Sequence, residues 1–238
     1  MSTSVFGRFG VYPSKKSMCV WLVSVFVIAL ALPVWAGSKN KDEETLKNAT
    51  NVLQKMLSDQ NIPSDVIAKA DCVVVLPNVK KVGFGIGGSG GRGPMVCRIN
   101  STGRWSAPAM YSVGGLSAGL QAGASSSDYV LLVMTEKGEN SILNGKTELG
   151  RDATAAAGPS GASAASVSGN DILTYKAAKG LFAGVSMGGA SLEPDNDANQ
   201  RLYGRSITPQ EIVQANAVPT PVAARGMVTL LDSKYAKN

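Results

Sequence analysis

Apolar positions near the start of the chain recur at the spacing of an α-helix. Residues 37–59 carry them on one side, and acidic residues stand near the beginning, where the helix dipole favours negative charge. The apolar positions are Leu46, Ala49, Leu53, Met56 and Leu57. Ile62-Pro63-Ser64 ends the pattern, and a helical turn over residues 65–70 is predicted after it. We predict an amphipathic helix packed on a core. A helix on a membrane surface is the alternative, which the mixed charges of the polar side disfavour.

The pattern changes to β structure between residues 71 and 192. Short apolar or alternating runs are bounded there by Gly, Pro, Asn and Ser, as strands usually are. A short helix is predicted over residues 136–143, and a hairpin is preferred to a disordered linker for the Ala/Ser-rich segment 148–168. The predicted strands cover residues 73–76, 94–99, 109–113, 116–122, 129–135, 172–175 and 181–190.

The chain returns to helix near its end. Thr208-Pro209-Gln210-Glu211 has the residues of a capping box with proline at the first helical position, and residues 223–234 are predicted to add a short helix. These elements predict an α+β fold. Its strongly curved antiparallel β-sheet, barrel- or sandwich-like, is flanked by an N-terminal amphipathic helix and by C-terminal helices. Residues 37–238 contain no long linker and are predicted to form a single domain.

The first 36 residues follow the order of a secretory signal peptide. A basic region with Arg8, Lys15 and Lys16 precedes the apolar run 18–32, and Ala36 supplies the small residue of a cleavage site. The apolar run is shorter than the roughly 20 residues of a bilayer-spanning helix, so cleavage after Ala36 is preferred to an uncleaved anchor. The mature chain is therefore predicted to be exported, to the periplasm, the cell envelope or the medium.

The charge balance argues against a nucleic acid as partner. Cleavage would remove three basic residues and no acidic one, which lowers the net charge from +6 to +3. Nucleic-acid-binding domains show clustered Lys and Arg and a strongly basic surface. A mild positive charge is compatible with an anionic surface as partner without requiring one.

Two cysteines remain after the signal peptide, Cys72 and Cys97. They lie in predicted strands joined by a glycine-rich stretch, and an oxidising compartment permits a disulfide between them. Strand register cannot be read from the sequence, so two small buried apolar side chains are the alternative. A metal site is not expected from two cysteines in a chain without histidine.

Two glycine-rich segments, 83–88 and 179–186, mix glycine with large apolar residues. The first has the spacing Gly83-x-Gly85-x-x-Gly88 of a dinucleotide-binding turn, but that motif must open a helix, and the strand-like segment 94–97 follows instead. Gly145-Lys146-Thr147 resembles the end of a phosphate loop, yet Asn140 stands where the first glycine belongs. Both matches are rejected, and the two segments are predicted to be curved strands and turns.

The residues of common catalytic sites are missing or poorly placed. The absence of histidine excludes Ser-His-Asp and Cys-His catalysis. Glu193, Asp195 and Asp197 lie in a Pro/Asn-containing segment that is expected to be a solvated loop, without the ligand pattern of a calcium loop. A hydrolase that uses carboxylates stays as an alternative. The expectation is a protein that is not an enzyme and needs no cofactor.

Several short motifs follow one another along roughly residues 45–205. They are Ile62-Pro63, Ala70, Leu76-Pro77, Lys81-Val82-Gly83-Phe84-Gly85, Arg98, Gly103-x-Trp105-Ser106-x-Pro108, Gly119-x-Gln121-x-Gly123, Gly158-Pro159-x-Gly161, Tyr175 and Lys179-Gly180-Leu181-Phe182-Ala183-Gly184. In this order and spacing they resemble the SYLF domain. The resemblance implies lipid binding. It is to an exported bacterial branch, so the phosphoinositide and actin binding of eukaryotic members, and their SH3 or FYVE modules, are not carried over.

Cations and aromatic residues near the glycine-rich segments are the candidate lipid contacts. Cations beside successive backbone amides suit a phosphate or a lipid headgroup, and aromatic rings suit an apolar wall or an interfacial anchor. The candidates are Lys80, Lys81, Arg92, Trp105, Lys176, Lys179 and Phe182, with Phe84 and Leu181 beside them. The alternatives are a core position for each aromatic ring, solvation for each lysine, and internal hydrogen bonds for Arg98 and Gln121.

The sequence thus predicts an exported, non-enzymatic protein that associates with lipid headgroups or an anionic membrane surface. A structural or protein-interaction module of the cell envelope is the second hypothesis. It is motivated by the mild charge and by the lack of catalytic residues.

Overall fold

The computed structural model describes residues 38–84, 86–99, 102–118, 123–145, 147–149, 155–156, 171–178, 181–182 and 190–235. The chain divides into two compact units, Met1–Ser38 and Lys39–Asn238. All described residues except Ser38 belong to the second unit. The predicted signal peptide and its cleavage site lie outside the described residues, and export stays a prediction.

The described helices lie before, within and after a set of β-strands. Helix α1 covers residues 38–58. The other helices are α2 (Ser64–Ile67), α3 (Glu136–Leu143), α4 (Asn196–Tyr203), α5 (Pro209–Val213), a 3-10 turn (Val222–Ala224) and α6 (Arg225–Tyr235). None of these described helices has the length and apolar character needed to cross a bilayer.

The described strands form one sheet of nine strands. They are β1 (Cys72–Phe84), β2 (Ile86–Cys97), β3 (Ala109–Ala118), β4 (Gly123–Val133), β5 (Thr147–Leu149), β6 (Ala155–Ala156), β7 (Ile172–Ala178), β8 (Leu181–Phe182) and β9 (Ala190–Pro194). Their order is β5-β9-β3-β2-β1-β4-β7-β6, with β8 paired to β7. The sheet is curved and the predicted α+β class is confirmed. One pair, β6 with β7, is parallel rather than antiparallel.

The strands at the centre of the sheet are longer than the sequence predicts. β1 and β2 continue through the first glycine-rich segment and pair as far as Phe84 with Ile86. β3 is one strand where two were predicted, because Gly114 and Gly115 keep their places in the ladder opposite Gly90 and Ser89 of β2. Glycine is a weak strand former, but continuous pairing on both sides holds it in extended conformation.

The two faces of the sheet belong to two separate apolar clusters. Cys72, Val74 and Leu76 of β1 point to one cluster, which we call the first face, and Val73 and Val75 point to the other, the second face. Helices α3 and α5 pack on the first face, and α1, α2 and α6 pack on the second. Strands buried on both faces explain why residues 73–76 read as a continuous apolar run.

Helix α1 packs as the sequence predicts. Leu46, Ala49, Leu53 and Met56 are all at most 1% exposed. Leu57 is partly buried against the second-face cluster. The amphipathic helix is therefore a core helix of this fold. Full burial of a leucine side chain contributes about 2 kcal/mol relative to exposure, so this stripe anchors the helix firmly.

Cys72 and Cys97 lie directly opposite each other on β1 and β2 and form a disulfide. Both are fully buried in the first-face cluster. The neighbouring strand end is held by Ser106, whose hydroxyl oxygen accepts a hydrogen bond from the Cys97 amide at 3.0 Å. The structure thus places the two sulfur atoms together in a register that the sequence left open.

The C-terminal part contains both features that the sequence predicts there, the capping box and a helix near residues 223–234, which is α6. Thr208 and Glu211 form the capping box at the start of α5, with Pro209 at the first helical position. Helix α4 was not predicted. Asp195 caps it by accepting a hydrogen bond from the Ala198 amide at 3.0 Å, so Asp195 is a helix cap instead of a solvated loop residue.

Candidate functional site

One end of the central strands carries most of the glycines of β2 and β3. We define the glycine-rich end as residues 79–84 of β1, 86–91 of β2, 112–118 of β3 and 123–127 of β4. Here Val82 lies opposite both Gly88 of β2 and Ala124 of β4, and Gly88 lies opposite Leu116 of β3. These four residues form one row across four strands, and directly opposed residues in such a row share a face of the sheet.

Lys80 and Lys81 are neighbours in β1 at this end and point to opposite faces. Lys80 is exposed and pairs in register with Gly90, on the second face. Lys81 is partly exposed and points to the first face, as Val79 does. The end of β1 therefore presents positive charge on both sides of the sheet.

Lys176 of β7 lies near Lys81. Burial, and secondarily the positive charge of Lys81, lower the pKa of Lys176. The Lys176 ammonium also lies 6.0 Å from the centroid of the Tyr129 ring, in the range of a cation–π contact. Three of the predicted cations, Lys80, Lys81 and Lys176, are thus brought to one region of the sheet.

Acidic residues are missing from the strand segments of this end. The sequence contains no Asp or Glu in residues 79–91 or 112–127, while it contains two lysines there. The acid nearest along β4 is Asp128, whose carboxylate accepts a hydrogen bond from the Asn78 amide at 2.8 Å. The glycine-rich end is therefore net positive.

Arg92 does not join these lysines. It binds two carboxylates, Asp42 of α1 at 2.9 Å and Asp195 at 3.2 Å. Asp42 is fully buried and also binds Arg201 of α4 at 2.7 Å. Arg92 is therefore neutralised inside a network that joins α1, β2 and α4. These ion pairs disfavour a contact of Arg92 with a lipid headgroup, which stays a prediction.

Trp105 is a core residue. Its side chain is 3% exposed and belongs to the second-face cluster, under the guanidinium of Arg98. This burial favours the core position that was given as the alternative to an interfacial anchor. Arg98 makes the internal hydrogen bonds that were given as its alternative, to the carbonyl oxygens of Ala68, Ala70, Gly103 and Tyr235.

The second glycine-rich segment is only partly described. Phe182 is in β8, where its backbone pairs with Ala177, and Leu181 pairs with Ala178. Lys179 lies outside the described residues. The roles predicted for Lys179 and Phe182 stay predictions.

A carboxylate lies beside the disulfide on the first face. Glu139 of α3 has its oxygen within 4.8 Å of the sulfur atoms of Cys72 and Cys97. Burial raises the pKa of Glu139, and its carboxylate accepts a hydrogen bond from Gln214 at 2.9 Å. Because the sulfur atoms are bonded to each other, they offer no thiolate for a metal ion or for nucleophilic chemistry.

Two residues of the glycine-rich end were not singled out from the sequence. Val82 and Leu116 are 58% and 83% exposed, although both are large apolar residues in central strands. Val82 stands between Lys81 and Gly83, and Leu116 stands between Gly115 and Ser117. The one available signal is their setting among glycines, which cannot cover a neighbouring side chain.

The fold and this surface define an α+β domain with a curved sheet and a basic end. Residues 114–234 match the family model described as "Ysc84: Las17-binding protein actin regulator". The chain is 32% identical over 81% of its length to SH3 domain-containing YSC84-like protein 1 of Homo sapiens. It is also 32% identical over 83% of its length to Protein YSC84 of Saccharomyces cerevisiae, and equally so to LAS seventeen-binding protein 3 of the same species.

The chain belongs to the Ysc84 family, which confirms the resemblance to the SYLF domain. Its match spans 57% of the human relative and 46% of each of the two yeast relatives. The family description names binding and regulation rather than catalysis. The first strands of the sheet precede the family-model match, and the alignments to whole relatives cover a larger share of the chain.

Proposed function

We propose that this protein is an exported, non-enzymatic domain that binds anionic lipid headgroups through the glycine-rich end of its sheet. The observation that carries the proposal is the position of Lys80 and Lys81 on the two faces of the glycine-rich end, with Lys176 near Lys81 and no acidic residue in the strand segments of that end. Each Lys or Arg near an anionic membrane contributes about 1 kcal/mol of attraction. Three such lysines therefore favour reversible surface association.

The affinity is electrostatic and must depend on salt. The Debye length is about 10 Å at 0.1 M ionic strength and about 3 Å at 1 M. We expect tight binding to anionic vesicles at low salt and progressive loss as salt is added. Lys176 loses its proton at a lower pH than an ordinary lysine, so its share of the attraction disappears first as the pH rises.

Vesicle flotation with charge-reversed variants tests this function. The chain from Gly37 to Asn238 is used, because it contains the compact unit Lys39–Asn238 without the apolar run that would bind vesicles by itself. Vesicles of phosphatidylcholine mixed with phosphatidylglycerol are compared with vesicles of phosphatidylcholine alone. Lys80→Glu with Lys81→Glu should weaken binding to the anionic vesicles at low salt by at least about tenfold.

The matched control reverses two exposed lysines elsewhere. Lys47→Glu with Lys69→Glu changes the net charge equally, on α1 and after α2. The control should lose much less affinity than the Lys80/Lys81 variant. Equal losses would mean that net charge alone drives association, and unaltered binding of the Lys80/Lys81 variant would place the lipid site elsewhere.

Export is the second component of the proposal. It is supported by the order of basic, apolar and small residues over residues 1–36, and the buried disulfide suits an oxidising compartment. Expression of the full chain in a bacterial host, followed by fractionation and N-terminal sequencing, tests it. We expect a mature protein outside the cytoplasm beginning at Gly37. Full-length protein confined to the cytoplasm would contradict export.

A protein-binding role is the second candidate function. It is favoured by the family description, which names a Las17-binding actin regulator, and by the names of the yeast relatives. Crosslinking in the native host tests it. A defined protein partner whose capture survives the Lys80/Lys81 reversal and the removal of lipid would favour this role over lipid binding.

A further inference from the structure

Two exposed apolar side chains flank a glycine on the second face of the sheet. Val82 of β1 and Leu116 of β3 both pair in register with Gly88 of β2. They are 58% and 83% exposed. Because Gly88 has no side chain, nothing on β2 stands between them. None of the described helices covers these two side chains.

Packing does not require glycine at positions 88 and 90. A Cβ atom on Gly88 or Gly90 would find its closest neighbours at 3.9 and 4.0 Å, both of them carbonyl oxygens at ordinary contact distance. Gly93, farther along β2, is different, because a Cβ there would lie 1.8 Å from the Val75 carbonyl oxygen. Glycine is thus required at 93 but not at 88 or 90. Glycine at 88 and 90 means that β2 contributes no side chain beside Val82 and Leu116, so both stay exposed.

The charge next to Val82 and Leu116 indicates what kind of partner this face binds. Lys80 stands two residues before Val82 on the same face, and no acidic residue occurs in residues 79–91 or 112–127. The acidic residues of the same face at this end, Glu193 opposite Ser112 and Glu148 opposite Ser191, lie in β9 and β5, beyond β3 and away from Lys80. An anionic bilayer offers the complement: headgroups for the lysine and the acyl boundary for the two apolar side chains.

We propose that Val82 and Leu116 insert into the surface of an anionic bilayer while Lys80 stays at the level of the headgroups. This inference rests on the proposed lipid-binding function and adds the partner, a bilayer rather than a single lipid molecule, and the face that meets it. Insertion of short apolar side chains contributes through the area they bury and is not screened by salt. Measurements at low and at high salt can therefore separate the electrostatic attraction of Lys80 from the insertion of Val82 and Leu116.

The test measures binding of the chain from Gly37 to Asn238 to vesicles of phosphatidylcholine and phosphatidylglycerol, at low and at high salt. Val82→Ser with Leu116→Ser should lower the affinity that persists at high salt by about tenfold or more. Val222→Ser is the matched control, since Val222 is 74% exposed and lies on the 3-10 turn. It should bind as the unmodified chain does.

The outcomes distinguish the inference from the function on which it rests. If the unmodified chain binds vesicles and the double serine variant binds equally well at both salt concentrations, insertion is overturned while lipid binding stands. If the unmodified chain binds no vesicle, both are overturned. Binding of monomeric short-chain phosphatidylglycerol as tightly as vesicles would overturn the bilayer as partner. A dimer that the double variant abolishes, without a change in vesicle binding, would assign the face to self-association instead.

Discussion

The guanidinium carbon of Arg98 lies 4.4 Å from the centroid of the Trp105 ring, inside the second-face cluster. The same guanidinium donates hydrogen bonds to carbonyl oxygens at the ends of two helices, among them Ala68 after α2 and Tyr235 of α6. Helix ends leave carbonyl groups without partners in the helix, and one buried arginine satisfies several of them here. Burial is also the main cause that lowers the pKa of Arg98.

Arg98→Lys is expected to destabilise the domain without altering vesicle binding. A lysine keeps the charge but cannot reach several carbonyl oxygens or stack on Trp105, so the free energy of unfolding should fall by about 3 kcal/mol. Urea unfolding measures this. Arg104→Lys is the control, because Arg104 is 70% exposed and pairs with Asp232, and such surface pairs contribute about 1 kcal/mol or less. Equal effects of the two substitutions would contradict a structural role of Arg98.

The network around Asp42 should hold α1 against the sheet and α4. Asp42→Asn removes the buried carboxylate that pairs with Arg201 and, together with Asp195, with Arg92. Because Arg201 then loses the carboxylate it contacts, the substitution should cost about 3 kcal/mol. Thermal unfolding followed by circular dichroism measures the loss. Asp59→Asn, which affects only the exposed pair with Lys55, should leave the melting temperature nearly unchanged. A melting temperature of Asp42→Asn equal to that of the unmodified chain would show that the network does not secure the helix.

Two glycines of β2 should respond oppositely to alanine. Gly93→Ala places a methyl group 1.8 Å from the Val75 carbonyl oxygen, which the backbone can relieve only by moving, so we expect a loss of about 3 kcal/mol or failure to fold. Gly90→Ala meets ordinary contacts and should leave stability unchanged or slightly improved. Urea unfolding of both variants measures the two changes in the free energy of unfolding. A strongly destabilised Gly90→Ala variant would contradict the conclusion that packing does not require glycine at this position.

The disulfide should stabilise the fold mainly through the unfolded chain. Cys72 and Cys97 are 25 residues apart, and closing a loop of that size contributes about 3 kcal/mol in the chain-entropy model. A reducing agent should therefore lower the unfolding midpoint of the unmodified chain and leave that of Cys72→Ala with Cys97→Ala unchanged. If the unmodified chain has the same midpoint with and without reductant, the bridge is absent or contributes nothing.

The parts of the fold that local chemistry determines could be predicted from the sequence. The capping box at Thr208 and the helix over 136–143 depend on neighbours in the chain, and both are present. The continuous strand β3 could not be predicted, because Gly114 and Gly115 resemble a break until their pairing with β2 is known. The Asp42–Arg201 contact joins residues far apart in sequence, and no local sequence pattern predicts it.

The candidate site shows the same division. The lysines were predicted because their charge is visible in the sequence, and the structure places Lys80 and Lys81 on opposite faces of one end of β1, with Lys176 near Lys81. The contacts of Arg92 with Asp42 and of Trp105 with Arg98 could not be predicted, because the partners are contributed by other elements. Val82 and Leu116 are exposed because Gly88, which lies between them, has no side chain. This could not be predicted from the two residues themselves.

Lipid contact through the glycine-rich end is measured most directly by the fluorescence of a tryptophan placed there. Trp105 is the one tryptophan after residue 36 and is buried, so it contributes a constant background. Leu116→Trp should shift its emission to the blue when phosphatidylglycerol-containing vesicles are added, because its indole leaves water for the membrane interface. Val222→Trp should not shift. A shift of Val222→Trp, or none of Leu116→Trp under conditions in which the vesicles are bound, would contradict lipid contact through this end of the sheet.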